Sequence, residues 1–361
     1  MTEWNYDNYN KYKQWIEDGC KVNDKVTILY LHGSNLTNLS ENIGNLINLQ
    51  QLYCHNNKLI ELPKTLGNLI NLQILSCSNN ELKELPKTLG NLINLQYLNC
   101  SKNKLTELPE TLGNLINLQK LFYHNNELKE LPKTLGNLIN LQQLWCFENK
   151  LIKLSKTLGN LINLQELYCN NNKLTELPET LGNLINLQDL NCSLNKLIEL
   201  SETLGNLINL QKLYCHDNKL TELQKTLGNL INLQKLWCYN NKLIELPILI
   251  IKLKHLEQVY YDENIQLPIN LRRFIKRINI KNNNDVHDND VHNNSIQESL
   301  LDSINILLSE TITKNINLID DNILDDKTKS ILYNFIENKT VGNLSVSFEE
   351  LIVYVLEKID N

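Results

Sequence analysis

Leucine returns along most of this chain in a fixed figure. Residues 72–94 read LQILSCSNNELKELPKTLGNLIN, a skeleton of L-x-x-L-x-C-x-x-N-x-L-x-x-L-P-x-x-L-G-N-L-I-N, and the figure repeats every 23 residues. The frame runs without insertion from Val26 to Leu256, giving ten full turns (26–48 to 233–255) and a partial eleventh. The word TLGNLINLQ recurs unchanged eight times, first at Thr65 and last at Thr226. Within a turn, Leu75, Ser76 and Cys77 alternate in, out, in, the period of a strand with one buried face. A hairpin partner is excluded because the turn closes only after 23 residues. Successive strands therefore stack in parallel about 4.8 Å apart, and eleven of them make a sheet roughly 50 Å long. Each turn can bury its apolar face only against its neighbours, which defines a solenoid.

The skeleton resembles the leucine-rich repeat, specifically its 23-residue intracellular type found in Ras-associated scaffold proteins, over about two-thirds of the chain. The resemblance implies an α/β horseshoe with a parallel sheet on the concave face and short irregular or helical segments outside. Numbering each turn from its first Leu (Val26 in turn one), position nine is Asn in ten of eleven turns, from Asn57 to Asn264. An amide that both donates and accepts satisfies backbone groups where the chain leaves a strand, so an asparagine ladder is expected. Ser34 occupies that place in the first turn, as suits an atypical terminal repeat. Eight of nine cysteines share position six: Cys54, Cys77, Cys100, Cys146, Cys169, Cys192, Cys215 and Cys238. There they read as small buried hydrophobes, reduced and in a reducing compartment. Tyr123 and Tyr261 replace Cys in two turns.

A solenoid exposes its core at both ends and needs caps. Residues 1–25 are read as the N-terminal helical cap, with Tyr9, Tyr12 and Ile16 on one face, Trp15 adjacent, and Gly19 closing the helix. Repeats occupy 26–268, and a cap helix at 269–280 follows Pro268. Leu271, Phe274, Ile275 and Ile278 share one face of that helix, mostly opposite Arg272, Arg273, Lys276 and Arg277. Residues 281–294 form a disordered polar linker. Residues 295–361 read as a small all-α segment, opened by capping-box pairs Ser295 with Glu298 and Ser347 with Glu350.

Composition narrows the function classes. A net charge of −6 over 361 residues, with no basic stripe, argues against nucleic acid. No apolar run has the length of a transmembrane span, and the start MTEWNYDNYNKYKQW lacks a signal-peptide core, so a cytoplasmic location is expected, with the nucleus as the alternative. There is no phosphate-binding loop, no dinucleotide fingerprint and no kinase motif set. Some bacterial leucine-rich-repeat effectors carry a cysteine-dependent ubiquitin ligase after the repeats; no cysteine follows Cys238. Hence no catalytic residues, no metal site and no cofactor are expected. His32, His55, His124 and His216 share position seven and are read as polar surface residues.

Information sits where the turns disagree. Position five is aromatic in eight turns: Tyr30, Tyr53, Phe122, Trp145, Tyr168, Tyr214, Trp237 and Tyr260. Phe147 and Tyr239 add rings from position seven. Ser76, Asn99 and Asn191 break the column into three patches. Trp and Tyr are enriched at interface hot spots, so these ten residues form the candidate partner-binding face. Position three adds Lys120, Gln143, Glu166, Asp189, Lys212 and Lys235, a pattern expected to suit a partner of mixed charge. Glu81 and Glu127 are expected to balance the Lys two residues later, Lys83 and Lys129. The resulting expectation is a non-enzymatic scaffold or adaptor that binds a protein or peptide on the concave face. Two alternatives stand beside it: a spacer that self-associates through 295–361, and a regulatory subunit in small-GTPase or ubiquitin signalling.

Overall fold

A computed structural model describes residues 8–22 and 24–283. Two compact units divide the chain at residue 285, and the described residues belong to the first. The domain expected at 295–361, and the linker beyond Asn283, lie outside them.

Eleven three-residue strands, from β1 (Ile28–Tyr30) to β11 (Gln258–Tyr260), form one parallel sheet in chain order. Register advances by one repeat at each pairing: Leu29 faces Leu52, and Trp237 faces Tyr260. The middle residue of every strand is a buried Leu, or Val259 in the last. Strands stay short because the chain turns at position eight. From Asn56 to Asn240 that residue is left-handed, with φ between 52° and 57°, and Gly33 takes the same role in turn one.

The asparagine ladder closes this turn. Asn80 donates its amide to the carbonyls of Cys54 and Cys77, both at 3.0 Å, and accepts the Leu59 N–H at 2.9 Å. The pattern runs from Asn57 to Asn241. Asn264 stands exposed outside it. In the last turn the Asp262 carboxylate instead accepts the N–H groups of Asn240 and Asn241 at 2.7 and 3.1 Å.

Each of the first ten strands returns through a five-residue 3₁₀ segment, from Glu41–Asn45 to Ile248–Lys252. The invariant word is built for stacking these segments. Thr88 donates its hydroxyl to the Lys64 carbonyl one turn back at 2.7 Å, and Asn94 donates to Ile70 at 2.9 Å. A Cβ on Gly136 would lie 2.4 Å from the Thr157 carbonyl oxygen, so the close approach of neighbouring segments requires glycine there.

The core is a leucine stack with all eight position-six cysteines fully buried. Burial pushes the Cys77 thiol up to about 12. Tyr123 fills the same core position; its buried hydroxyl lies beside the Cys146 thiol and has no full hydrogen-bond partner.

At the start of the solenoid, α1 (Asn8–Glu17) buries Tyr12 and Trp15. The Tyr12 hydroxyl accepts the Ser40 N–H at 3.0 Å, and the Trp15 indole donates to the Lys21 carbonyl at 2.8 Å. Tyr9 and Ile16 remain 39% and 38% exposed, so of the expected Tyr9–Tyr12–Ile16 stripe only Tyr12 is packed, together with the adjacent Trp15. At the other end, α2 (Ile269–Asn283) buries Leu271 and Ile275, with Phe274 and Ile278 packed against the same core. That helix extends past the expected limit at residue 280. Lys104 pairs with Glu81, and Lys150 with Glu127, each at 3.0 Å. The partners are thus one turn apart, which corrects the expected pairing with Lys83 and Lys129: stacked turns bring the position-ten side chains together.

Candidate functional aromatic face

The position-five rings emerge from the sheet side by side, since parallel register puts identical positions on adjacent rungs. Three groups form. Tyr30 stacks on Tyr53, with centroids 5.0 Å apart. Phe122 stacks on Trp145 at 4.3 Å, and Trp145 on Tyr168 at 5.4 Å. Tyr214 meets Trp237 edge-on at 4.7 Å, and Trp237 meets Tyr260 at 5.4 Å. Tyr97, from position three, adds an edge contact to Phe122 at 5.5 Å.

A second column, unexpected as a column, lies at position seven. His32 stacks on His55 at 5.0 Å, His124 on Phe147 at 4.2 Å, and His216 on Tyr239 at 4.5 Å. The histidines are therefore ring partners in the aromatic ledges. Burial, then the nearby Lys102 charge, pushes the His124 imidazole down to about 4. Burial and then His32 lower His55. Among the described residues no group of three or more His, Cys, Asp or Glu is placed to hold a metal ion.

The gaps between ledges have their own chemistry. Asn99 accepts the Ser101 N–H and hydroxyl at 3.1 and 2.7 Å, and Asn191 does the same with Ser193. Positions five and seven pair ring with ring on six rungs and Asn with Ser on two, whereas Ser76 goes with Ser78, Tyr168 with Asn170 and Tyr260 with Asp262.

Exposure differs along the column. Phe122 is only 7% exposed and serves as packing for its neighbours, whereas Tyr260 is 48% exposed. Trp145, Tyr168, Tyr214 and Trp237 are partly buried. The acidic pair at position three is already engaged. Glu166 accepts from Gln143 at 2.9 Å and from the Trp145 indole at 3.1 Å. Asp189 accepts from Lys212 at 2.9 Å and from the Tyr168 hydroxyl at 3.3 Å. Hydrogen bonding to Asp189 raises the Lys212 pKa, against the opposing pull of burial. Burial and the Asp189 and Glu166 charges push the Tyr168 phenol up.

The comparisons with known proteins agree with this architecture. The family description "Leucine-rich repeat region" matches residues 25–121 and 87–219, and "Leucine Rich repeats (2 copies)" matches 208–250. Among solved structures, a Leptospira interrogans LRR protein is 34% identical, with 67% of this chain covering 68% of that one at a TM-score of 0.58. The functional domain of InlJ from Listeria monocytogenes, which includes a cysteine ladder, is 28% identical (69% of this chain, 57% of that one, TM-score 0.54). A plant peptide hormone receptor, RGFR1 in complex with RGF2, is 31% identical (TM-score 0.59), and 64% of this chain covers 38% of that receptor. No curated protein sequence matches the chain. With its 23-residue turns, asparagine ladder and eleven-stranded parallel sheet, the chain belongs to the leucine-rich repeat family.

Proposed function

We propose that this is a non-enzymatic scaffold whose sheet face docks an extended segment of another protein, anchored on the Phe122–Tyr168 and Tyr214–Tyr260 ledges. The observation that carries the reading is the pair of ring ledges with partly exposed faces, each three rungs long and separated by the Asn191 gap. Preassembled rings offer contact area without first ordering loose side chains, which favours binding. Since Asp189 is paired with Lys212, the position-three charges left to a partner beside these ledges are those of Lys120, Glu166 and Lys235. The partner that fits is apolar at its anchors and mixed in charge beside them. The peptide complex of the similar plant receptor supports this reading by analogy. We place the protein in a reducing compartment, where its buried thiols would stay as such.

A second reading, that the column only stabilises the sheet, is favoured by the burial of Phe122. Co-purification from the native host separates the two. Full-length chain carrying Trp145→Ala and Trp237→Ala should keep its melting profile within a few degrees and lose the partners recovered by wild type. Unchanged partners with a lowered melting temperature would assign the rings to stability alone.

A further inference from the structure

The invariant word leaves one surface unexplained. At position 22, next to the Asn that bonds one turn back, an isoleucine points outward in nine consecutive turns, from Ile47 to Ile231. Ile47, Ile70, Ile93, Ile116, Ile139, Ile162, Ile185, Ile208 and Ile231 are each about half exposed. Single exposed isoleucines are ordinary; an unbroken row of them is not. Beside the row runs a groove of about 870 Å³ lined by amides such as Gln96, Asn117, Gln119 and Asn140, with no charged side chain.

The two ends of the row differ from its middle. One turn before Ile47, the same position is Asp24, whose carbonyl accepts the Asn48 amide at 2.9 Å as Ile47 accepts that of Asn71. One turn after Ile231 it is Lys254. The column thus reads Asp, nine Ile, Lys, and both terminal side chains belong to exposed residues.

We infer that this flank binds a second copy of the chain, antiparallel, about a two-fold axis through the middle of the row. An occupant that meets every rung alike must repeat at the spacing of the solenoid, and another copy does. Antiparallel pairing brings Asp24 of each copy opposite Lys254 of the other, at both ends of the interface. Parallel pairing would set Asp against Asp and Lys against Lys. Each amide in the groove both donates and accepts, so the strip is complementary to itself. A charge-free middle lets two chains of net charge −6 approach there without local repulsion. The end charges supply the register that a uniform row lacks. This surface is distinct from the aromatic face, so the two readings stand or fall separately.

Sedimentation equilibrium of the full-length chain tests it. Wild type should dimerise, and Ile93→Asp with Ile139→Asp and Ile185→Asp should be monomeric with an unchanged circular-dichroism spectrum. Asp24→Lys alone, or Lys254→Asp alone, should weaken the dimer about fivefold or more, and the double exchange should restore it. A monomeric wild type, or a dimer that survives the three aspartates, would overturn the interface. Single exchanges without effect, or a double exchange without rescue, would overturn the antiparallel register.

Discussion

The left-handed residue at position eight shows how a single side chain is chosen. Asn tolerates positive φ better than most residues, and Asn56, Asn79, Asn125, Asn171 and Asn240 use it there. Leu194 holds φ 53° with a half-exposed apolar side chain. Left-handed backbone costs a Cβ-bearing residue about 1–2 kcal/mol. Leu194→Asn is therefore expected to raise stability by about 0.5–1 kcal/mol, read as a shift in denaturant midpoint at constant slope. His124 sets a pH dependence. Its folded pKa of about 4 lies below the ordinary imidazole value of 6.5, so the unfolded chain binds the proton more readily between those values. Its contribution is complete above pH 6.5 and is lost as pH falls toward 4. His124→Phe, which keeps the ring on Phe147, should lessen the drop in melting temperature across that window relative to wild type. An identical drop in both proteins would remove His124 from the account. The position-nine asparagines were legible in the sequence, because buried backbone groups demand a partner. The stacking histidines were not, because a residue judged by its polarity is not counted as a ring. The paired variation of Asn99 with Ser101 and Asn191 with Ser193 was a visible signal of that second column.

At the scale of one turn, sameness and variation have different causes. The Thr, Gly and last Asn of the repeated word bond or pack directly onto the neighbouring turn, so any departure is felt by two turns at once. Gly136→Ala should destabilise by about 1–3 kcal/mol, because its Cβ would meet backbone rather than a yielding side-chain tip. Ile139→Ala, three residues on and exposed, should change stability far less. Chemical denaturation of the two variants compares them directly. The three-residue strands and 3₁₀ returns follow from the period: 23 residues must make a strand, a turn, an outer segment and a way back. The parallel strand and a short outer segment were readable, but not the 3₁₀ form of the return, and the cap helix was misjudged at Tyr9 and Ile16. Helical periodicity placed Tyr9, Tyr12 and Ile16 together, but Trp15, with its ring buried and its indole bonded to Lys21, shares the packed face with Tyr12 while Tyr9 and Ile16 stay exposed.

Across the whole solenoid, each turn contacts mainly the turns beside it, and α1 and α2 cover the exposed ends of the leucine stack. Architecture was legible because a period constrains every residue in it. Electrostatics was less so. The charges at position three looked available to a partner, but stacking set Lys212 beside Asp189, which matches one acidic charge of the face, and gave Glu166 the neutral donors Gln143 and Trp145. Sequence shows which charges exist; only the geometry of adjacent rungs shows which are already matched. Two surfaces thus carry the two proposed contacts, the aromatic face for another protein and the isoleucine flank for a second copy.

Site-specific photocrosslinking in the native host tests the central assignment most directly. A benzoylphenylalanine at residue 168, at the end of the first ledge beside the Asn191 gap, should yield an adduct with a different protein, and the same probe at residue 139 should yield only adducts of two copies of this chain. Adducts with a different protein at residue 139 and none at residue 168 would contradict the aromatic face as the docking surface.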